Sequence, residues 1–135
     1  MNENSIKLLD LGKALFAESK FAEAAQVYSK LLIDEPKNVQ CLLNRASCSL
    51  NLRNWEDVLQ DATAARKEDL QSLKAWRLSG RALDALNDVN GAIDCLHEAL
   101  HIDVTDSETA LLLKKLVSAH LKKILQVRPK KFKLF

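Results

Sequence analysis

The chain has 135 residues, of which 47% are hydrophobic and 28% are charged, as is typical of one soluble globular domain. Only three Gly and two Pro are present while Ala and Leu are abundant, so the composition favours helices and predicts an all-α fold. The net charge is +2, no apolar run approaches the roughly 20 residues that span a bilayer, and the N-terminus does not resemble a signal peptide, so we expect no transmembrane segment and a cytoplasmic or nuclear location.

Three consecutive segments, residues 5–38, 39–72 and 73–106, align without gaps at a period of 34 residues. Apolar residues follow helical spacing within each segment, and polar residues interrupt that spacing near its middle, at Ser19–Lys20, Arg53–Asn54 and Asn87–Asp88. A small residue recurs where two helices must approach closely, at Gly12, Ala46 and Gly80. Each segment is therefore predicted to form a helix, a short turn and an antiparallel helix.

Eight positions of the first segment carry a pattern of small and large residues: Leu8, Leu11, Gly12, Leu15, Ala24, Tyr28, Leu31 and Pro36. This pattern resembles the signature of the tetratricopeptide repeat family. The third segment follows it at Trp76, Gly80, Leu83, Ala92, Leu96 and Ala99, and the second departs from it at Arg45, Ser49 and Leu70. The resemblance covers residues 5–106 and implies a right-handed superhelical solenoid of three helix-turn-helix motifs.

A further helix is predicted after the third segment. Thr105 and Glu108 have the spacing of a capping box at a helix start, and Pro129 disfavours helical geometry at the residue before it. Solenoids need a terminal helix that covers the last repeat. We therefore predict a capping helix at residues 106–127, a domain that spans residues 5–127, and a basic tail at residues 128–135.

Charge is divided unevenly along the chain. Residues 1–108 hold 12 Lys and Arg with all 18 acidic residues, whereas residues 109–135 hold 8 Lys and Arg and no acidic residue. Three interpretations of this basic end stay open: a lysine-lined helix with a solvated tail, a nuclear-import or nucleic-acid-binding tail, and an amphipathic segment that meets an anionic membrane or a partner.

The stretch HEALH, from His97 to His101, has the spacing of the zinc-binding motif of metallopeptidases. Zinc needs a third protein ligand, and the first downstream Glu, Glu108, is only seven residues away and lies in the predicted start of the next helix. The chain also lacks a Gly-rich phosphate loop and a nucleophile elbow. We therefore expect no metal, no cofactor, no catalytic residue and no enzymatic activity.

The three cysteines, Cys41, Cys48 and Cys95, are widely spaced and contain no CxxC pair. This spacing argues against a disulfide framework and a structural zinc site. Free Cys packs as a small hydrophobic residue. We predict buried, reduced thiols.

The resemblance implies that the first helices of the repeats line a concave groove, which the family uses to hold peptides. From the helical register we predict that this groove is lined by Leu9, Lys13, Phe16, Leu43, Asn44, Ser47, Asn51, Lys74, Arg77, Leu78 and Arg81. The apolar members would contact neighbouring side chains of the peptide.

Lys74, Arg77 and Arg81 lie on one face of one predicted helix, in a body that is acidic overall. Two interpretations stay open: solvated surface charge, and a site for an acidic peptide or a terminal carboxylate, which Arg binds with two parallel hydrogen bonds. We hypothesise that Lys13, Arg77 and Arg81 form such an anion site.

The second repeat resembles the co-chaperone branch of the family, whose members grip the acidic C-terminal tails of heat-shock chaperones with a five-residue carboxylate clamp. Asn44 and Lys74 match two of the clamp positions. Leu9 and Lys13 stand where the clamp has Lys and Asn, and Leu78 stands where it has Arg. The resemblance thus implies an incomplete clamp.

The sequence therefore predicts a non-catalytic protein–protein interaction module that binds an extended peptide, acidic or C-terminal, in its groove. Its partner would be a protein or peptide, with a heat-shock chaperone tail as one candidate. Two alternatives stay open: a structural subunit that docks through its convex face, capping helix or basic tail, and a targeting domain of a larger protein.

Overall fold

The computed structural model describes residues 1–127 and consists there of α-helices and connecting turns, without a β-strand. The helices are α1 (Glu3–Ala17), α2 (Phe21–Asp34), α3 (Val39–Asn51), α4 (Trp55–Glu68), α5 (Leu73–Ala85), α6 (Val89–Ile102) and α7 (Ser107–Val127). The predicted all-α fold of paired helices followed by a final helix is confirmed. The predicted basic tail, residues 128–135, lies outside the described residues.

The turn inside each helix pair has the same backbone geometry. Ser19, Arg53 and Asn87 adopt positive φ angles of 62°, 59° and 68°. In each turn the next residue's N–H donates to a carbonyl five positions earlier, as from Lys20 to Leu15 at 2.9 Å. This arrangement ends a helix by satisfying its last carbonyls, so the polar residues that interrupt the apolar spacing do mark the turns.

The first helices of the second and third repeats, α3 and α5, begin with side-chain caps. The carboxamide oxygen of Asn38 accepts a hydrogen bond from the Cys41 N–H at 3.0 Å, and Ser72 Oγ accepts one from the Ala75 N–H at 3.2 Å. These bonds satisfy backbone donors that have no partner inside a helix. They fix the first turns of α3 and α5.

The predicted capping box at the start of α7 is wrong. The Thr105 hydroxyl donates to the Asp103 carboxylate, and the Glu108 carboxylate accepts from Arg77. Asp106 precedes the first helical residue instead, its carboxylate accepts from the Thr109 hydroxyl, and its carbonyl accepts from the Ala110 N–H at 3.1 Å. With Thr105 as its cap the helix would begin at residue 106. It begins at Ser107 instead, because the Thr105 hydroxyl is hydrogen-bonded to Asp103.

Each helix packs against the next one along the chain, from α1 to α7, which is the one-dimensional arrangement of a solenoid. Small residues allow the helices of a pair to approach closely. A Cβ on Gly12 would lie 2.8 Å from the ring of Tyr28, and one on Gly80 would lie 2.8 Å from Leu96. Ala46, the equivalent residue of the second repeat, is fully buried in the core. No helix within residues 1–127 has the length and apolarity to cross a membrane.

Candidate functional site

A pocket of about 180 Å³ opens where the first helices of the three repeats meet. It contains five of the predicted groove residues and one residue, Tyr28, that the sequence placed only in the repeat pattern. Its lining residues are Lys13 and Phe16 of α1, Tyr28 of α2, Asn44 and Ser47 of α3, and Lys74 of α5. We call this the Lys13–Lys74 pocket.

Two exposed lysines from different repeats give the pocket its charge. Lys13 belongs to the first repeat and Lys74 to the third, and both side chains remain accessible to solvent. Burial, assisted by the nearby Arg77, lowers the pKa of Lys74, while Cys48 opposes the change. A partly desolvated ammonium group interacts more strongly with an anion than one in bulk water. The pocket is therefore suited to an anion.

Tyr28 forms the floor of the pocket and was missed as a site residue. Its ring packs against Gly12, and burial raises the pKa of its phenol, an effect that Cys48 and Cys41 reinforce and the nearby Asn44 side chain opposes. The Asn44 side chain is thus placed beside a phenol at the base of the pocket. The sequence feature that could have indicated Tyr28 is Gly12. This residue has no side chain on the groove-lining helix α1, so the Tyr28 ring can extend to the pocket.

Neither Arg77 nor Arg81 of α5 lines the Lys13–Lys74 pocket. Arg77 Nη1 donates to Asp106 Oδ2 at 3.1 Å and to Glu108 Oε2 at 3.0 Å, so its guanidinium ties α5 to the start of α7. Arg81 lines a different pocket, beside Asp84, Leu96 and Leu116. The helical register places the three cations on one broad face, but the carboxylates that neutralise Arg77 lie 29 and 31 residues further along the chain.

The apolar groove candidates divide into two groups. Leu43 and Leu78 are only 8% and 4% exposed and belong to the core, so they offer a peptide little surface. The register could not show this, because neighbouring helices cover these side chains. Leu9 and Phe16 are half-buried, and Phe16 packs edge-on against Phe21 with ring centroids 5.1 Å apart.

Asn51, the remaining candidate, is exposed at the end of α3, and its amide donates to the Ser47 carbonyl at 2.8 Å. His97 and His101 are exposed on α6. Within residues 1–127, no three His, Cys, Asp or Glu side chains lie close enough to hold a metal ion. Cys41, Cys48 and Cys95 are buried free thiols, as predicted.

The chain is similar to known proteins in both fold and sequence. The first TPR (tetratricopeptide repeat) domain of Spaghetti (RPAP3), solved bound to the HSP90 peptide SRMEEVD, superposes with a TM-score of 0.83 and 25% identity, over 87% of this chain and 93% of that one. The Hsp70/Hsp90 co-chaperone cns1 of Schizosaccharomyces pombe is 29% identical over 109 residues. The chain therefore has the fold of a tetratricopeptide repeat domain. No protein-family model matches it.

The chain spans less than a third of the length of these curated relatives. The match to cns1 includes 78% of this chain but 30% of cns1. A protein of Gibberella zeae named methyltransferase is 30% identical over 102 residues, and the match covers 14% of it. The chain therefore resembles an interaction module that occurs within longer proteins of different kinds.

Proposed function

We propose that this TPR domain is a non-catalytic adaptor that binds the acidic C-terminal peptide of a partner protein, with Lys13, Asn44 and Lys74 as its anion site. The observation that carries this proposal is the Lys13–Lys74 pocket, in which two ammonium groups and one amide from three helices line a single cavity. Residues 1–108 are acidic overall, with 12 Lys and Arg against 18 Asp and Glu, so these two exposed lysines are a local reversal of charge.

A heat-shock chaperone tail has the chemistry that this pocket would bind. The peptide in the RPAP3 complex, SRMEEVD, ends in three acidic side chains, one Val and a free carboxylate. Lys74 and Asn44 retain two positions of the carboxylate clamp, and Lys13 supplies an ammonium where the clamp has an amide. Charge-assisted hydrogen bonds from lysine to carboxylate are stronger than neutral ones. The proposed site thus holds one carboxylate between Lys13 and Lys74.

The rim of the pocket suits an apolar side chain beside that carboxylate. Phe16 lines the pocket, and Leu9 is half-buried one helical turn before Lys13 on α1. An aromatic anchor next to a polar contact is a common arrangement in peptide recognition. We propose that α1 contacts the Val or Met side chain of such a peptide, and that a cytoplasmic or nuclear location follows from chaperone binding.

Fluorescence anisotropy tests the proposal with labelled SRMEEVD and the same peptide carrying a C-terminal amide. Lys13→Ala and Lys74→Ala should each weaken binding of the free acid by about 10-fold or more, because each removes a charged hydrogen bond worth about 1.5 to 3 kcal/mol. Lys67→Ala, on the outer surface of α4, is the matched control and should bind like the unchanged chain.

The amidated peptide separates two versions of the site. Weaker binding of the amide shows that the terminal carboxylate is recognised, whereas equal binding assigns the contact to an acidic side chain. Binding that survives both lysine substitutions, or that Lys67→Ala weakens equally, would refute the proposed pocket.

A further inference from the structure

A second cavity lies between the second helices of the first two repeats. Its walls come from α2 and α4 and its floor from α3, and its volume is about 470 Å³. The lining residues used below are Ala25 and Ser29 on α2, Arg45 and Ser49 on α3, and Asp57 and Asp61 on α4. We call this cavity the α2–α4 trough.

Two large residues of the repeat pattern are replaced by smaller ones in the trough. Ala25 and Ser49 stand 34 residues before Leu59 of α4 and Leu83 of α5, which are half-buried at the equivalent positions. The replacement of two leucines by Ala and Ser removes several methyl and methylene groups from one place. The departure of the second repeat at Ser49 therefore leaves less apolar side chain in this cavity and places a hydroxyl there.

Ser49 has an unused hydroxyl in this cavity. The residue is 6% exposed, yet its Oγ takes part in no side-chain hydrogen bond found in residues 1–127. By contrast Ser29, Ser47 and Ser79 each donate to the carbonyl one turn earlier on their helices. Every fully buried side-chain nitrogen and oxygen in the described residues has a hydrogen-bond partner, so Ser49 Oγ, which has none, is open to the cavity and available to a group that enters the trough.

The trough carries one uncompensated negative charge. Arg45 Nε and Nη2 donate to the two carboxylate oxygens of Asp61 at 2.8 and 2.7 Å, so these two charges neutralise each other. Asp57 faces Arg45 as well, but within residues 1–127 it forms no salt bridge of its own. The local charge from these three groups is therefore −1.

We propose that the α2–α4 trough binds the side chain of an arginine on a basic protein partner, with the Asp57 carboxylate as counter-ion and Ser49 Oγ as an acceptor. A guanidinium group has five donors in a fixed planar fork and accepts none, which matches a rim carboxylate and a deeper hydroxyl. The acidic body of the chain favours approach of a basic surface. This site is separate from the Lys13–Lys74 pocket and does not depend on the function proposed for it.

The test is a titration of the ¹⁵N-labelled chain with Nα-acetyl-arginine amide, followed by backbone amide chemical shifts. Nα-acetyl-citrulline amide is the matched ligand control, since it has nearly the same size and no charge. We expect the arginine compound to shift the amides of Ser49, Asp57 and Gln60 selectively, and the citrulline compound to bind about 10-fold more weakly because the charged hydrogen bonds are lost.

Two variants locate the site. Ser49→Leu places a leucine where the first and third repeats have Leu15 and Leu83, so it should fill the trough and abolish the selective shifts. Asp57→Asn changes an exposed residue, should leave the fold intact by circular dichroism, and should weaken binding by about 10-fold. Lys74→Ala, in the other pocket, should bind the arginine compound like the unchanged chain.

Several results would overturn the proposal. The amide signals could stay unshifted at the highest soluble concentration of the arginine compound, or the shifts could spread over the whole acidic surface. The citrulline compound could bind equally well, or Asp57→Asn could leave binding unchanged. Loss of SRMEEVD binding in Lys74→Ala with retained arginine binding would separate the two sites.

Discussion

Arg45 and Asp61 form two parallel hydrogen bonds that join α3 to α4, Nε to Oδ2 at 2.8 Å and Nη2 to Oδ1 at 2.7 Å. Arg45 Nη1 also donates to Ser29 Oγ of α2 at 3.1 Å. Asp61 is almost fully buried, whereas the Arg45 side chain keeps 29% of its surface exposed. Arg45, one of the three residues at which the second repeat departs from the pattern, is therefore one half of an ion pair.

This pair predicts a difference between single and double substitutions. Arg45→Ala should lower the free energy of unfolding by about 3 to 5 kcal/mol, because it leaves the Asp61 carboxylate buried without its partner. The double variant Arg45→Leu/Asp61→Val introduces the residues that the first repeat has at these positions, Leu11 and Val27, and should be as stable as the unchanged chain or more stable. Urea unfolding measures both; a double variant as unstable as the single one contradicts the argument.

The contact of Arg77 with α7 predicts a structural role for this residue. Arg77→Ala should lower the free energy of unfolding by about 1 kcal/mol, or Tm by about 4 °C, because Glu108 is exposed and part of the interaction is screened by solvent. Its affinity for SRMEEVD should match that of the unchanged chain. Thermal unfolding and anisotropy check the two halves, and a loss of peptide affinity equal to that in Lys74→Ala would return Arg77 to the anion site.

The sequence predicts features that depend on local spacing. The period of 34 residues and the polar breaks place the helix pairs, because Ser19, Arg53 and Asn87 each end a helix through bonds to residues within five positions. Features that depend on a distant helix were not predictable in this way. Helical register gives the direction of Leu78 from its own axis, but the burial of that side chain is set by the helices packed over it.

The same limit explains why the candidate site was only partly predicted. Lys13, Asn44 and Lys74 were placed in one groove by the helical register, and the structure brings them to one pocket. Arg77 has the same periodicity, yet its charge is taken by carboxylates at the start of α7. Periodicity selects the face of a helix; it does not say which charges a neighbouring element brings to that face.

The close approach of α1 and α2 predicts that Gly12 tolerates no side chain. A Cβ would lie 2.8 Å from Tyr28 Cζ, and the rigid ring cannot move without disturbing the pocket floor. Gly12→Ala should therefore destabilise the chain by about 1 to 3 kcal/mol and weaken peptide binding. Gly91→Ala is the control and should leave stability nearly unchanged. There the Cβ meets the flexible Asp88 side chain, so the cap from Asp88 is lost while helix propensity improves, and each effect is worth about 1 kcal/mol. Equal unfolding midpoints in urea would contradict this prediction.

The buried thiol of Cys48 predicts a loss of stability at alkaline pH. Burial raises the pKa of Cys48 to about 11 from 9.0, although its own backbone hydrogen bond and Lys74 oppose the rise. Below pH 9 the thiol is protonated in both the folded and the unfolded chain, so its contribution is fully present there. Between pH 9 and pH 11 the unfolded chain loses the proton first, and folding becomes less favourable as pH rises.

A raised pKa of this size corresponds to roughly 2 to 3 kcal/mol of stability lost by pH 11, with burial of the Cys41 thiol and the Tyr28 phenol acting in the same direction. Cys48→Ala is the matched variant, because Ala14 and Ala82 occupy the equivalent positions of the other repeats. Urea unfolding of both chains at pH 7.5 and pH 10.5 gives the comparison. The unchanged chain should lose more stability than Cys48→Ala between these values, and parallel losses would show that the Cys48 thiol is not the group responsible.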